Sequence, residues 1–340
     1  MRKRNRRSRL LTTLLTAAVA CSVPPVGAAG GGRHRALCAT AAAGRAAPPY
    51  VAVLSAFPAE LAPLVAAAEI ERTVEVDARQ YYIGRMGDVS VVLGLTGIGI
   101  VNATGRARSV LASFPLAGLV MSGVAGSRYR IGDVVLAAEF VERDRKRAFR
   151  ANLALLALAA RAASALPVPL ETCTPVPPTA PDAQVVCLPY APAVIFAGQG
   201  VSGDDFGGKA LPCAPGGDEV FGCELPPPTA AAATVEAALP TEEVVDMETA
   251  AVARQAARRH VPFLGVRAVS DGAGDPLGDR GFPAQFFDYY RLAARNAADV
   301  TRATITELGR LARDGAARRT CRLLARRRWR RAAERIQSDA

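Results

Sequence analysis

The sequence predicts an α/β fold. Short apolar runs rich in valine, leucine and isoleucine recur between residues 50 and 270, and stretches of helical period separate them. Half of the 340 residues are hydrophobic and 21% are charged, which excludes disorder over most of the length. The length itself suits one large domain with tails and an insertion.

The elements follow in order. Tyr50–Leu54 is an apolar run suited to a buried strand, and Glu60–Glu69 has helical character interrupted early by Pro63. Residues 81–84 and 89–95 alternate as a hairpin about Met86-Gly87-Asp88. Asn102–Ser113 reads as a helix, and Leu116–Met121 and Asp133–Phe140 read as strands. Between about 142 and 195 the pattern breaks into a basic run, an alanine/leucine helix and a proline-rich segment, read here as an insertion before the strand Ala193–Phe196. A second irregular stretch, 211–228, ends in three prolines. Val244–His260 runs from a strand edge into a helix, Phe263–Val269 is a strand, and Phe286–Leu311 is a long amphipathic helix able to close the domain. There is no internal repeat.

The net charge of +11 belongs to the ends. Residues 1–9 carry +6 and residues 310–340 carry +8, so the body between them is −3. A mildly acidic body disfavours a nucleic-acid groove, and any attraction to an anionic surface falls to the basic tail, 316–340. That tail, with Trp329, reads either as an amphipathic surface contact or as a solvated extension.

Residues 1–28 read as an export signal: a basic start, the uncharged stretch Leu10–Ala20, and Val26-Gly27-Ala28 as a cleavage pattern. Ala18-Val19-Ala20-Cys21 also allows lipidation at Cys21, and residues 29–49 read as a linker to a domain spanning 50–315. The expected destination is periplasmic, extracellular or lipid-anchored. Cys173, Cys187, Cys213 and Cys223 lie in the most loop-like regions, as exported disulfides would. Three pairings are open, of which Cys173–Cys187 with Cys213–Cys223 closes the shortest loops. The spacings and the remoteness of His34 and His260 argue against a metal site. The glycine run 94–99 lacks the spacing of a dinucleotide or P-loop motif, so no cofactor is expected.

Four segments carry a resemblance that composition does not. VAVLSAFPAEL (51–61), VVLGLTGIGIVNAT (91–104) with VMSGVAGSRYRIGDVVLA (120–137), GQGVSGDDF (198–206) and VVDMETAAVARQAARRHVPFLGVRAVSDGAGD (244–275) resemble the 5′-methylthioadenosine/S-adenosylhomocysteine nucleosidases of the nucleoside phosphorylase superfamily. The resemblance implies a three-layer phosphorylase/hydrolase-like fold with a central mixed sheet flanked by helices. It also implies hydrolysis of a purine nucleoside's N-glycosidic bond, and a homodimer.

By itself Glu60 reads as a first-turn helix acid, and Asp271 as part of a Ser-Asp-Gly turn. Both also follow a buried strand, where open α/β sheets bind ligands. The resemblance makes Glu60 the base that activates water and Asp271 the group that protonates purine N7. It makes Glu248 the acceptor for the ribose hydroxyls, Met247 a sugar contact and Phe206 the ring that stacks on the purine. Ser270, Gly123 and Val124 complete the expected site. Met121 and Val124 stand where related phosphorylases carry a phosphate-binding arginine and serine, so water is the expected nucleophile. Phosphorolysis, or an exported binding protein without turnover, are the alternatives. Val124, Gly207 and the inserted loops are the departures that keep the second of these open.

Overall fold

A computed structural model of the chain describes residues 49–338, apart from 179, 226–238 and 280, and the side chains as far as 315. The expected export signal, nearly all of the linker and the side chains of the basic tail lie outside the described residues.

The expected elements form, several with wider bounds. Strand β1 (Tyr50–Ser55) leads into helix α1 (Pro58–Ala66), which starts two residues earlier than Glu60 because Pro58 occupies the first turn, where its missing N–H costs nothing. An edge strand not foreseen, β2 (Glu69–Val76), pairs with β3 (Arg79–Met86), which forms the expected hairpin with β4 (Val89–Leu95). Its largely exposed residues, Glu69, Glu71 and Arg72 among them, leave little apolar pattern to read. Helix α2 (Ile100–Ser113) follows, then β5 (Leu116–Arg130), far longer than predicted because Ser122–Ser127 is mostly Gly, Ser and Ala and the strand ends in polar Arg128-Tyr129-Arg130. Strand β6 (Val134–Glu142) pairs with the short β7 (Ala148–Arg150).

Within the stretch read as an insertion, helix α3 (Leu153–Ala163) is capped by Asn152, whose side chain accepts from the N–H groups of Ala154 and Leu155. Strands β8 (Cys173–Val176) and β9 (Gln184–Cys187) make a separate hairpin joined by the Cys173–Cys187 disulfide. Then come β10 (Val194–Ser202), β11 (Val245–Asp246), α4 (Thr249–Arg258), β12 (Phe263–Ala273) and α5 (Ala284–Ser338).

The main sheet has ten strands in the order β11-β10-β6-β12-β5-β1-β4-β3-β2, with β7 beside β6. It is mixed: β1, β4, β5 and β12 run parallel, while β12 meets β6 antiparallel. Val245 also pairs with Gly126, so β11 returns to β5 and this half of the sheet curls into a ring. Helices α1 and α3 pack on α5, and α2 packs on α4, giving two helical groups flanking the sheet. The core lies in the central strands, whose two-sided burial explains their nearly continuous apolar runs. The carboxyl ends of β1, β4, β10, β11 and β12 converge on one cavity. Among the described residues, no helix is long and apolar enough to cross a membrane.

Candidate active site

Glu60 sits in the first turn of α1, yet its side chain folds back toward β1. One carboxylate oxygen accepts from the Ala56 N–H at 2.6 Å, and the other from the Val124 N–H at 2.7 Å. The residue is 1% exposed. Burial pushes its pKa up to about 7, against the pull of Arg267 and the backbone donors.

Register explains how β5 and β12 make room for charge. Gly123 pairs with Arg267, and Gly126 pairs with Asp271. A Cβ on Gly123 would lie 2.2 Å from the Glu60 carboxylate, and one on Gly126 would lie 2.5 Å from Asp271 Oδ2. Gly123→Ala is therefore expected to displace Glu60 and to destabilise the protein by about 1–3 kcal/mol, read as a lowered melting temperature.

Asp246 and Glu248 come from the β11–α4 junction. Asp246 Oδ1 accepts from the N–H groups of Glu248 and Thr249, each at 3.0 Å, and from the Ser202 hydroxyl at 2.5 Å. It thus meets the free donors that open α4. Glu248 accepts from the Gly99 N–H at 2.8 Å. Burial raises its pKa, opposed chiefly by Arg267.

Arg267 joins these groups. Its guanidinium lies 3.5 Å from Glu60, 3.0 Å from Asp246 and 3.2 Å from Glu248, with no solvent exposure. It also donates to Thr249 Oγ1 and to the Val124 carbonyl. Burial works against its charge, and the three carboxylates outweigh burial and hold it protonated.

Asp271 lies within β12, which continues through Ser270 instead of stopping at Val269 as predicted. The Ser270 hydroxyl donates to Asp271 Oδ1 at 2.7 Å. Burial raises the Asp271 pKa to about 6, against the Ser270 bond. Among the described residues no donor meets Oδ2. The cavity that Asp271 borders measures about 500 Å³ and is also lined by Glu60, Val124, Phe206, Met247, Glu248 and Ser270. Gly123 lies behind the Glu60 carboxylate. All eight residues singled out in the sequence thus meet at one place. No three His, Cys, Asp or Glu side chains are grouped as metal ligands among the described residues.

A protein-family model described as the phosphorylase superfamily matches residues 50–306. The chain belongs to the phosphorylase superfamily. An uncharacterized protein of Mycobacterium tuberculosis is 34% identical over 186 residues, which cover 50% of this chain and 74% of that protein. A 5′-methylthioadenosine/S-adenosylhomocysteine nucleosidase of Maridesulfovibrio salexigens is 34% identical over 97 residues, covering 28% of this chain and 42% of that enzyme. The crystal structure of such a nucleosidase from Neisseria meningitidis, in complex with methylthio-immucillin-A, superposes with a TM-score of 0.53 at 23% identity. It covers 76% of this chain and 99% of its own, a likeness of fold.

In this phosphorylase-superfamily chain, sequence reasoning missed Arg267. The available signal was a charged residue inside the apolar run Phe263–Val269, a position where only paired charge is tolerated. It also left open the cysteine pairing, which forms as Cys173–Cys187 and Cys213–Cys223. Phe206 is half-buried beside Gly99, where a Cβ would lie 2.9 Å from its ring. Gly99 also takes a backbone φ of +96°, so the glycine run serves both a turn and close packing.

Proposed function

We propose that the chain hydrolyses the N-glycosidic bond of a purine nucleoside of the methylthioadenosine/adenosylhomocysteine type, releasing the free base and the ribose moiety. The observation that carries this reading is the Arg267 cluster. A phosphate dianion needs arginines or a dense set of N–H donors, and Arg267 is already met by three carboxylates. Arg143 lines the cavity too, but it is half-exposed and lies 3.5 Å from Glu242. Negative charge dominates this wall, which favours water over phosphate.

Protonated Asp271 donates to purine N7 as the C1′–N9 bond breaks and its electron pair passes to the base. Glu60 takes a proton from the water whose oxygen bonds to C1′, so one proton is given and one taken. Glu248 accepts from the ribose hydroxyls, Met247 packs on the sugar and Phe206 stacks on the purine. Gly123 leaves space for the Glu60 carboxylate, the Val124 N–H orients it, and Ser270 orients Asp271. Arg267 positions Glu60 and Glu248 and balances their charge.

The reaction needs Glu60 ionised and Asp271 protonated, with pKa values of about 7 and about 6. The pH profile of kcat/KM is therefore expected to be bell-shaped with a maximum between those values. It should fall about tenfold per pH unit on either side, as the base gains its proton in acid and the acid loses its proton in alkali. A flat profile from pH 5 to 8 would contradict the pair.

The test of the reaction is incubation with 5′-methylthioadenosine, S-adenosylhomocysteine, adenosine and inosine, with and without phosphate. Free base without phosphate is expected. Base only with phosphate would make the chain a phosphorylase, and none despite measurable binding would make it a binding protein. The two disulfides support an oxidising compartment. On that basis we place the mature chain outside the cytoplasm, after removal of residues 1–28 or lipidation at Cys21. The family resemblance supports a homodimer, and the charge of +8 over residues 310–340 supports contact of the basic tail with anionic surfaces.

A further inference from the structure

The segment from Leu211 to Leu225 is a loop closed by Cys213–Cys223, with Cα atoms 5.0 Å apart, and bridged at Ala214 and Gly222. Inside it, Asp218 Oδ1 accepts from the N–H groups of Val220 at 3.0 Å and Phe221 at 2.6 Å, which fixes the turn that presents those side chains. Glu219 ties the loop to the rest of the fold. Its carbonyl accepts from the Ala59 N–H at 2.7 Å, one residue before Glu60. Its carboxylate accepts from Arg291 Nε at 2.6 Å and from the Tyr290 hydroxyl. At the loop's start, the Leu211 carbonyl accepts from Asn102 Nδ2 at 2.7 Å.

Leu211, Val220 and Phe221 line the cavity. They also border a smaller crevice with Ala56, Gly97 and Ile98. Ala56 is the residue whose N–H holds Glu60, and Gly99, beside Ile98, holds Glu248. The loop therefore stands at the end of the cavity where these two carboxylates are held. The Asp271 end is bordered instead by Gly126 and Pro240. With the sugar hydroxyls on Glu248 and the base on Asp271, the group left to meet the loop is the substituent on C5′. The loop's charged side chains do not line the cavity: Glu219 is paired with Tyr290 and Arg291, Asp218 accepts within the turn, and the exposed Glu224 borders a separate groove with Arg79. Phe221 is 44% exposed at the cavity rim, an apolar ring with surface left for a ligand.

We propose that this disulfide-closed loop is the specificity element of the site. Leu211, Val220 and Phe221 form an apolar wall for an uncharged substituent on C5′, and the Cys213–Cys223 bond keeps that wall over the sugar. The proposal rests on the nucleoside reading above and adds to it the residues that choose among nucleosides.

The test uses the full chain as Phe221→Ala, and as Cys213→Ser with Cys223→Ser, leaving Cys173–Cys187 intact. Two readouts are taken: kcat/KM for 5′-methylthioadenosine against adenosine, and equilibrium binding of 5′-methylthioadenosine and adenosine 5′-monophosphate by calorimetry. In the unaltered protein the methylthio compound is expected to be preferred and the 5′-phosphate to bind weakly. In both variants the methylthio-to-adenosine ratio should fall about tenfold, the discrimination that one apolar contact supplies, and methylthioadenosine binding should weaken in parallel. Phe221→Ala alone decides the matter should the serine variant fail to fold. An unchanged ratio and unchanged binding in Phe221→Ala overturn the proposal and leave hydrolysis standing. Weakened binding in variants of a protein that releases no base supports the wall and overturns hydrolysis. Equal binding of the 5′-phosphate overturns the wall, and a protein that neither binds nor cleaves overturns both.

Discussion

Asp271→Asn is expected to lower kcat/KM by about 10²–10⁴-fold, the range over which a positioned general acid acts. The substitution keeps size and shape, and the side-chain carbonyl still accepts the Ser270 hydroxyl that now lies 2.7 Å from the carboxylate. It removes the one thing the reaction needs, a proton acidic enough to pass to the departing base. Stability should move the other way. The folded-state pKa of about 6 lies above the ordinary 3.8, because burial penalises the charge. A carboxyl raised in this way destabilises the fold once pH exceeds its unfolded value, and fully so above the folded one. The neutral amide escapes that cost, so at pH 8 its melting temperature should equal or exceed that of the parent. Below pH 3.8 the two should converge. Steady-state kinetics beside thermal melts separate the cases. An unchanged rate would remove Asp271 from the chemistry, and a lost rate with a lowered melting temperature would make the residue structural.

What could be read in the sequence followed from locality and burial. β1, β4 and β12 are buried on both faces, so their apolar runs are nearly continuous and stand out from the helical stretches between them. Asp271 and Glu60 lie at or just past the ends of such runs, where open α/β sheets bind ligands, but position alone made them turn and helix acids, and the family resemblance was what singled them out. β2 was not legible, since its apolar residues Ile70, Val74 and Val76 are only partly buried, are outnumbered by exposed Glu69, Glu71, Arg72 and Glu75, and are thrown out of strict alternation by the irregularity between Ile70 and Arg72. The far half of β5 was hidden for another reason: Gly123, Gly126 and Ser127 have low strand propensity, and the two glycines are required by the Glu60 and Asp271 carboxylates beside them. The loop at Cys213–Cys223 looked like a plain surface excursion, because its attachment runs through the Glu219 carbonyl to Ala59, distant in sequence. Arg267 shows the same limit most sharply. Its three partners lie on α1 and at the β11–α4 junction, and nothing near it in the chain announces them.

Arg267 also carries the largest expected effect on stability. Arg267→Met fills most of the volume but leaves Glu60, Asp246 and Glu248 buried without their shared cation. Removing one side of a buried ion pair costs about 3–5 kcal/mol, because the remaining charge is neither solvated nor compensated. The carboxylates can relieve this by taking up protons, and that fixes the direction of the pH dependence. Arg267 is the strongest influence keeping the raised pKa values of Glu60 and Glu248 from rising further. In the variant both go higher in the folded state, while the unfolded values stay in the ordinary carboxylate range. Such groups cost nothing below the unfolded pKa, and the full penalty appears only above the folded one. The melting-temperature deficit against the parent is therefore expected to be large at pH 8 and to shrink toward pH 5. Arg267→Lys should recover part of it at pH 8, since one ammonium returns the charge but cannot reach three carboxylates with the fork of a guanidinium. Equal deficits at the two pH values would mean that Arg267 contributes packing and not charge, and the electrostatic account of this wall of the cavity would fail with it.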